Sequence, residues 1–332
     1  MKGEVRMRRS LAVLVTAVAL ALPAAGRAAW PERPITMIVP FAAGGPTDVV
    51  ARIVAEHMGR TLGQQVVVEN VAGAGGTTGS LRAAQAAPDG YTIEMGHMGT
   101  HGAAPGAYPG LKYDPAKDFE PIGLAAGTPI VVVARKDFPA KDLKEFVAYL
   151  KKDSQKLNEA HAGTGSVSFT TCALFNMLTS ARPTRIAYRG TGPALNDLVA
   201  GQVDYMCDQI VNLVPQIQAG TIKAYAVALP DRSPALPNVP TTNEAGLPEF
   251  KVTAWNALFA PKGTPKEIVQ KLNAALVKAL DDANTRQRLL DLGADLSNRA
   301  ASSPEGLLRL VESEVPRWKK VLANAGVSTE KP

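Results

Sequence analysis

The sequence has few cysteines, few histidines and no block of like charge. Among its 332 residues are two cysteines and four histidines, and charged residues make up 20% against 46% hydrophobic ones. This balance excludes a disordered chain and indicates a globular protein. The length is sufficient for two ordinary domains, each with a core of its own.

A hydrophobic run long enough to cross a bilayer is also missing. The stretch 10–25 is apolar but short and rich in alanine; it follows a basic segment, residues 2–9, and precedes small residues at a cleavage site. This layout predicts a cleavable signal peptide at 1–28 and a soluble, periplasmic mature protein. Arg8-Arg9 only loosely resembles a twin-arginine signal, so ordinary secretion is favoured. Since no cysteine stands at the cleavage site, we expect no lipid anchor.

The net charge of +6 does not indicate a nucleic-acid partner. Residues 1–28 contain five basic residues and one acidic residue, which account for +4 of this charge. The rest of the chain therefore carries only about +2, too little for the basic footprint of a nucleic-acid-binding protein. We expect no nucleic-acid partner.

The two cysteines, Cys172 and Cys207, both lie in the part predicted to be exported. An even number of cysteines in an oxidising compartment favours a disulfide. Closing a loop of about 35 residues would stabilise the fold by roughly 4 kcal/mol in the chain-entropy model. The alternative is a pair of buried free thiols, which exported proteins tolerate.

Four segments repeat one pattern: a short β-branched run, a loop of glycine, threonine or serine, and then a helical pattern. The β-branched runs are 35–41, 65–70, 157–163 and 184–190. This alternation predicts an α/β fold with parallel sheets and helices on their faces. In such sheets ligands bind at the carboxyl ends of the strands, where these loops lie.

The chain offers two places to cross between domains. One is the apolar stretch 125–139 and the other is the proline-rich stretch 230–250. We therefore predict a discontinuous first lobe, residues 29–126 plus 252–332, and a second lobe, residues 127–251.

The glycine loops admit three interpretations. A nucleotide-phosphate cradle is disfavoured because the loop 73–79 has the spacing GxGxxxG and the chain lacks GxxxxGK[ST]. An exported hydrolase is disfavoured because Ser166 lacks the GxSxG context, although another Ser–His pairing stays open. The third interpretation is capture of a small anion by backbone N–H groups at helix N-termini, each worth about 0.3–1 kcal/mol. Any single loop is equally well explained as a turn, but four similar loops favour the third interpretation.

Motifs along the whole chain are shared with a known family. They are PFAAGGPTD (40–48), VVVENVAGAGGTTG (66–79), APDGYT (87–92), YDPAKDFEPIG (113–123), GTGS (163–166), AYRGTGPALNDLVAGQVD (187–204), RSPALPNVPTTNEAGLP (232–248) and FAPKGTP (259–265). On these motifs the chain resembles the substrate-binding proteins of tripartite tricarboxylate transporters, the Bug family of periplasmic receptors. The resemblance implies a two-lobed, type II-like periplasmic binding fold, in which each lobe is a mainly parallel sheet flanked by helices.

The resemblance also implies a function. The two lobes would close over a small organic carboxylate, most often a dicarboxylate, and the receptor would deliver it to a membrane permease. An amino acid and an aromatic acid are the alternative ligands. The residues implied as ligand-binding are Phe41, Ala42, Ala43, Gly44, Gly45, Thr47, Asp48, His97, Gly99, Thr100, His101, His161, Ala162, Gly163, Thr164, Ser166, Tyr188, Arg189 and Asp208.

Several positions depart from the residues common in the family. His97 and His161 stand where serine is common, Phe169 where histidine is common, His101 at an often aliphatic site, and Arg189 in place of lysine. A cationic side chain in the cleft would favour a second carboxylate on the ligand, so we expect a dianion with one of the histidines or Arg189 near its far end. Each histidine is equally well explained as a neutral hydrogen-bonding side chain.

The acidic residues Asp204 and Asp208 do not suit an anion site. We expect them to cap loops, to orient donors, or to bind an ammonium group if the ligand is an amino acid. A zinc site made of the loop histidines is disfavoured, because no carboxylate or cysteine is spaced with them. The sequence therefore predicts a monomeric receptor with no cofactor, no metal and no catalytic activity.

Overall fold

The computed structural model describes residues 30–327. The signal peptide predicted at 1–28 lies outside the described residues. Residues 30–32 have no regular secondary structure, and residues 33–327 belong to one compact unit.

Strands and helices alternate along most of the described chain, as the sequence pattern predicts, but toward its end two strands and then three helices follow one another. The strands are β1 (Ile35–Val39), β2 (Val66–Asn70), β3 (Thr92–His97), β4 (Phe119–Arg135), β5 (Asn158–His161), β6 (Thr184–Ala187), β7 (Tyr205–Gln209), β8 (Ile222–Val227) and β9 (Thr253–Pro261). The helices are α1 (Pro46–Leu62), α2 (Thr77–Ala84), α3 (Ala104–Ala107), α4 (Leu143–Asp153), α5 (Val167–Thr179), α6 (Thr191–Val199), α7 (Ile210–Gln218), α8 (Lys266–Asp281), α9 (Ala283–Asp291) and α10 (Pro304–Asn324).

The fold is α/β, with one mixed sheet and flanking helices. The strand order is β2-β1-β3-β9-β4-β7-β5-β6, and β8 pairs with β4. Strand β1 pairs in parallel with β2 and β3, and β5 pairs in parallel with β6 and β7. The pairs that join these two parallel groups, β3–β9, β9–β4 and β4–β7, are antiparallel. The predicted parallel groups are therefore present, and antiparallel strands connect them.

Strand β4 is 17 residues long and takes part in both halves of the sheet. Its residues from Phe119 to Pro129 pair with β9, and those from Ile130 to Arg135 pair with β7 and β8. The segment 130–134 is apolar, largely β-branched and fully buried, as expected of a central strand covered on both faces. The predicted crossing at 125–139 thus falls largely within this strand. The division into two lobes stays a prediction.

Helix α1 is defined at both ends by residues with special backbone geometry. Gly45 is its extended N-cap and Pro46 occupies the first turn, where its fixed φ suits a helix and its missing N–H costs nothing. Gly63, with φ of +71°, ends the helix in the left-handed conformation. The larger buried apolar residues of α1, Val50, Ile53, Val54 and Met58, recur at helical spacing. This stripe fixes the helix on the sheet, so its N-terminus stays at the end of β1.

Candidate ligand-binding site

The loop between β1 and α1 is held by one acidic side chain, Asp48. Its carboxylate accepts hydrogen bonds from the Gly44 N–H at 3.0 Å, from Arg52 at 2.9 and 3.0 Å, and from Asn70 at 2.9 Å. Burial alone would raise the pKa of Asp48, but the hydrogen bonds from Arg52, Gly44 and Asn70 outweigh it and hold the pKa below its ordinary value. Gly44 has a φ of +79°, which glycine adopts without strain. Asp48 therefore shapes the loop, and its oxygens are already engaged.

Helix N-termini converge on one small cavity at the ends of the strands. The cavity is lined by Phe41, Gly45, Pro46, Thr47, Asp48, His97, Ala162, Ser166, Val167, Ser168, Thr191, Asp208 and Gln209. These residues include the first turns of α1, α5 and α6 and the residue that precedes α7. The volume open to the centre of a water molecule is about 10 Å³, room for about one water. Among the described residues, neither a lysine nor an arginine lines the cavity, so the groups there that attract an anion are helix dipoles and backbone N–H groups.

His97 lies at the end of β3 and lines this cavity. Its Nδ1 accepts a hydrogen bond from the Thr100 N–H at 3.1 Å, within the single π-helical turn Gly99–Ala103. The ring lies 4.7 Å from the ring of Phe41. Burial lowers the pKa of His97 to about 4, so the imidazole is neutral at pH 7. With Nδ1 as acceptor, Nε2 carries the proton and is a donor.

His161, at the end of β5, is also a buried histidine whose Nδ1 accepts a backbone hydrogen bond. Its Nδ1 accepts from the Gly163 N–H at 3.0 Å, and its ring meets the edge of Phe169 at 5.1 Å. Burial lowers the pKa of His161 to about 4. Its neighbour Ala162 lines the cavity, whereas His161 itself does not. Both histidines are therefore neutral donors here, and not the cations that would favour a second carboxylate.

His101 lies in the core and not at the cavity. Its ring stacks on Phe259 at 3.8 Å, and Thr100 lies between it and His97, with its hydroxyl 3.0 Å from His101 Nδ1. The Nε2 atom stands 3.8 Å from Oε2 of the buried Glu94. Burial lowers the pKa of His101 well below its ordinary value. The π-helical turn carries this side chain toward the aromatic core, which loop spacing alone does not show.

Tyr188 and Arg189 also direct their side chains elsewhere. The Tyr188 hydroxyl donates to Asp197 at 2.6 Å. The Arg189 side chain is exposed, and only its backbone carbonyl takes part in the loop contact, accepting from the Ala42 N–H at 3.1 Å. The expected guanidinium at the far end of the ligand is therefore absent from this arrangement.

The loops on the two sides of the cavity touch through glycines, and we call these pairs the glycine contacts. A Cβ atom at Gly75 would stand 1.8 Å from the Thr164 carbonyl oxygen, and one at Gly192 would stand 2.5 Å from the Ala43 carbonyl oxygen. The Tyr108 hydroxyl donates to the same Thr164 oxygen at 2.7 Å. Only glycine permits such an approach of two backbones. Gly163 and Gly99 are also in close backbone contact, since a Cβ atom would lie 2.9 Å from the Gly75 nitrogen and 2.8 Å from the Gly165 oxygen, respectively. The need for close packing is therefore sufficient to account for glycine at these two positions.

Two aspartates of one segment have different surroundings. Asp204 accepts from Arg135 Nε at 3.0 Å and from the Asn158 N–H at 2.8 Å, outside the cavity. Asp208 lines the cavity and is 1% exposed. Its Oδ2 accepts from Asn212 at 3.2 Å, while no described residue makes a hydrogen bond of normal geometry to Oδ1, although the Gln209 N–H and the Thr191 hydroxyl lie near the carboxylate. Burial raises the pKa of Asp208 to about 7, partly offset by the Gln209 N–H, Thr191 and Asn212.

Ser166 caps α5 and does not form a catalytic pair. Its hydroxyl accepts from the Phe169 N–H at 3.3 Å and lies 3.3 Å from the Ser168 hydroxyl.

Several cavity residues were not predicted from the sequence, namely Pro46, Val167, Ser168, Thr191 and Gln209. The signal that could have found them is their position directly before or within the first turn of a helix that follows a strand.

Helix α5 and strand β7 are joined by a disulfide between Cys172 and Cys207, whose Cα atoms are 5.2 Å apart. Both cysteines are buried.

Within the described part of the chain, no three His, Cys, Asp or Glu side chains are grouped so that they could hold a metal ion. None of the helices between residues 30 and 327 has the length and apolar character needed to span a membrane.

Known proteins are similar to this chain in sequence and fold. Residues 50–327 match the model of the tripartite tricarboxylate transporter family receptor. The chain is similar to MatC (Rpa3494) from Rhodopseudomonas palustris with bound malate, at 52% identity and a TM-score of 0.86, over 88% of this chain and 100% of that one. It is similar to the periplasmic binding protein BugD at 46% identity and a TM-score of 0.87, over 90% and 99% of the two chains. It is also similar to R. palustris Rpa4515 with adipate at 33% identity and a TM-score of 0.85, over 90% and 99%.

Proposed function

The chain belongs to the tripartite tricarboxylate transporter receptor family, and on this premise we propose that it binds a small dicarboxylate and delivers it to a membrane permease. Receptors of this family are periplasmic solute-binding proteins and not enzymes. The alternative of an exported hydrolase is therefore dropped. MatC, which shares 52% of its residues with this chain, binds malate, and this supports a C4 dicarboxylate as the ligand.

The observation that carries the proposal is the convergence of helix N-termini on one cavity without a lysine or arginine. Each N-terminus offers backbone N–H groups that no helical carbonyl accepts from. A carboxylate satisfies several of them at once and gains from each helix dipole, about 0.3–1 kcal/mol apiece. The first loop, held in shape by Asp48, would bind one carboxylate, with the neutral His97 as a further donor.

The cavity has room for about one water and not for a dicarboxylate. The two sides must therefore separate to admit the ligand and come together again around it. The glycine contacts are the surfaces that would part.

A thermal-melting screen of organic acids tests the proposal. We expect the best ligand to stabilise the protein by about 2.7 kcal/mol at a hundredfold excess over Kd, because ligand that binds only the folded state stabilises it by mass action. Fluorescence titration should give one-to-one binding. If no carboxylate stabilises the protein, the proposed function is wrong.

A matched pair of glycine variants tests the site. Gly45→Glu places a carboxylate at the α1 N-terminus, where a Cβ atom would already lie 3.3 Å from the Thr191 hydroxyl, and it should abolish binding. Gly110→Glu makes the same change at an exposed glycine with open space around it, and it should bind normally. Equal affinity of the two variants would mean that the first loop is only a turn.

Export and assembly extend the proposal. We propose that the chain is exported by its predicted signal peptide and acts as a monomer. N-terminal sequencing of the periplasmic protein should start at Ala29, and gel filtration with light scattering should give the mass of one chain.

A further inference from the structure

We infer that Asp208 accepts a hydrogen bond from a hydroxyl or ammonium group of the ligand, so that the receptor selects acids bearing such a donor over plain alkyl dicarboxylates. This inference rests on the proposed function and adds to it the chemical class of the ligand.

Asp208 is fixed in place by its strand. It lies next to Cys207, whose disulfide ties β7 to α5, and it is followed by Gln209, the residue before α7. Its side chain lines the cavity, and only 1% of its surface is exposed. Oδ2 accepts from the Asn212 amide at 3.2 Å, whereas Oδ1 accepts no hydrogen bond of normal geometry from the described residues, with the Gln209 N–H and the Thr191 hydroxyl nearby. An unpaired buried carboxyl oxygen is costly, and it is satisfied most directly by a donor that enters the cavity.

The side-chain oxygens of Asp48 and Gln209, which also line the cavity, do not compete for that donor. The Asp48 carboxylate is taken up by Arg52, Asn70 and the Gly44 N–H. The Gln209 side-chain oxygen accepts from Thr128 at 2.6 Å and from Asn256 at 2.8 Å. What remains on the wall, among the described residues, is the donors of the helix N-termini and His97, Oδ1 of Asp208, and hydroxyl groups that can donate or accept, those of Thr47, Ser166, Ser168 and Thr191.

This arrangement fits a ligand with carboxylates for the donors and one donor for Asp208. A ligand that has only carboxylates would set an oxygen anion against a buried carboxyl group, which repels it when Asp208 is ionised. Asp208 forms no salt bridge among the described residues. Its pKa, raised by burial to about 7, means that a ligand donor would meet an ionised carboxylate in a substantial fraction of molecules at neutral pH.

Three probes with the same four-carbon skeleton separate the possibilities: succinate has no donor, L-malate has a hydroxyl and L-aspartate has an ammonium group. Calorimetric titration of the wild-type protein should show L-malate or L-aspartate binding about 10- to 100-fold more tightly than succinate, as expected for one buried hydrogen bond. Asp208→Ala should bring that ratio close to one. Asp208→Asn keeps an acceptor oxygen but loses the charge, so it should largely retain a preference for L-malate and lose one for L-aspartate.

The control is Asp231→Asn, which removes an exposed acidic charge away from the cavity and should leave the ratio unchanged. The wild-type comparison needs no variant, so a variant that fails to fold does not weaken the test. Succinate binding within about threefold of the better of the other two would overturn the inference.

The pH dependence gives an independent readout. The groups facing Asp208 are Thr191, Asn212 and Gln209; the titratable cavity groups are His97, neutral above a pKa of about 4, and Asp48, paired with Arg52. Among the described residues that line the cavity, Asp208 is therefore the group with a pKa near 7. Affinity for L-aspartate should rise between pH 6 and pH 8, and affinity for succinate should fall. Parallel pH profiles for the two acids would contradict the inference.

The outcomes of the inference and of the proposed function are distinct. If the acid that binds best in the melting screen has neither a hydroxyl nor an amino group, the inference is wrong and the carboxylate receptor stands. If no acid binds at all, the proposed function fails and the inference falls with it.

Discussion

Glu94 has a carboxyl group in the core without a full set of partners. Oε1 accepts from the Ser80 hydroxyl at 2.6 Å, while Oε2 has no hydrogen-bond partner and faces His101 Nε2 at 3.8 Å. Burial raises the pKa of Glu94 from 4.5 to about 8. Between about pH 4.5 and pH 8, the carboxyl group of Glu94 therefore stays protonated in the folded protein but is ionised in the unfolded chain. Stability from this group is complete below about pH 4.5 and is lost as the pH rises through about 8.

Replacing Glu94 by glutamine should flatten this pH dependence. The amide keeps an oxygen for the Ser80 hydroxyl but does not ionise. We expect the melting temperature of Glu94→Gln to fall by a few degrees less than that of the wild type between pH 6 and pH 9, measured by circular dichroism. Glu249→Gln, at an exposed position, should behave as the wild type. Equal slopes for all three proteins would show that Glu94 is not protonated in the fold.

The roles of single residues were only partly predictable. The motifs place Phe41, Gly45 and Ser166 at the cavity, because they stand where strands end and helices begin. The sequence does not show that backbone N–H groups occupy Nδ1 of His97 and His161, nor how deeply the rings are buried. Those two facts make the imidazoles neutral, and they depend on contacts between distant segments.

At the scale of elements, helix α5 and strand β7 meet through one covalent link. Cys172 and Cys207 are buried at their contact, and the Thr171 hydroxyl adds a hydrogen bond to the Cys207 carbonyl at 3.1 Å. The two elements carry Ser166 and Asp208 into the cavity. The disulfide therefore stabilises the fold and also holds two walls of the site together.

Removing this disulfide should lower the stability of the folded protein. For Cys172→Ser with Cys207→Ser, we expect the free energy of unfolding to fall by about 4 kcal/mol, because a loop of 35 residues is no longer closed in the unfolded chain. Urea denaturation compares the variant with the disulfide-bonded wild type, and the wild type with its thiols kept reduced should lose about as much stability as the variant. Two free thiols by mass spectrometry in protein taken from the periplasm would contradict the prediction.

Element type was easier to predict than strand direction. The β-branched runs at 35–41, 65–70, 157–163 and 184–190 became β1, β2, β5 and β6, all in parallel pairs. Strands β4, β8 and β9 pair in antiparallel fashion, and their direction is set by which neighbouring strands the chain returns to. Local pattern carries no information on that choice.

At the scale of the whole molecule, the glycine contacts determine how closely the two sides of the cavity approach. Gly192→Ala adds one methyl group that would lie 2.5 Å from the Ala43 carbonyl oxygen, at a position without unusual φ. The closed arrangement is therefore disfavoured while the helix itself is not strained. We expect about tenfold weaker binding of the best acid from the screen, which is about 1.4 kcal/mol, with an unchanged melting temperature when no ligand is added.

Gly110→Ala, with no atom within 4 Å of its Cβ position, is the matched control and should bind as the wild type does. Calorimetric titration compares the three proteins. Unchanged affinity in Gly192→Ala would show that this contact is not formed in the ligand-bound state.

Strand β4 makes the chain intolerant of length changes at its middle. Because side chains alternate between the faces of a strand, one residue inserted near Gly127 would shift the register and turn each later side chain of β4 to the opposite face. The apolar segment 130–134 is covered on both faces and would tolerate this reversal, but the Thr128 hydroxyl would turn away from its acceptor, the side-chain oxygen of Gln209. The stretch 230–250 is mostly turns and carries no such alternation. Natural variation in length is therefore expected there, and not in the strand that both halves of the sheet share.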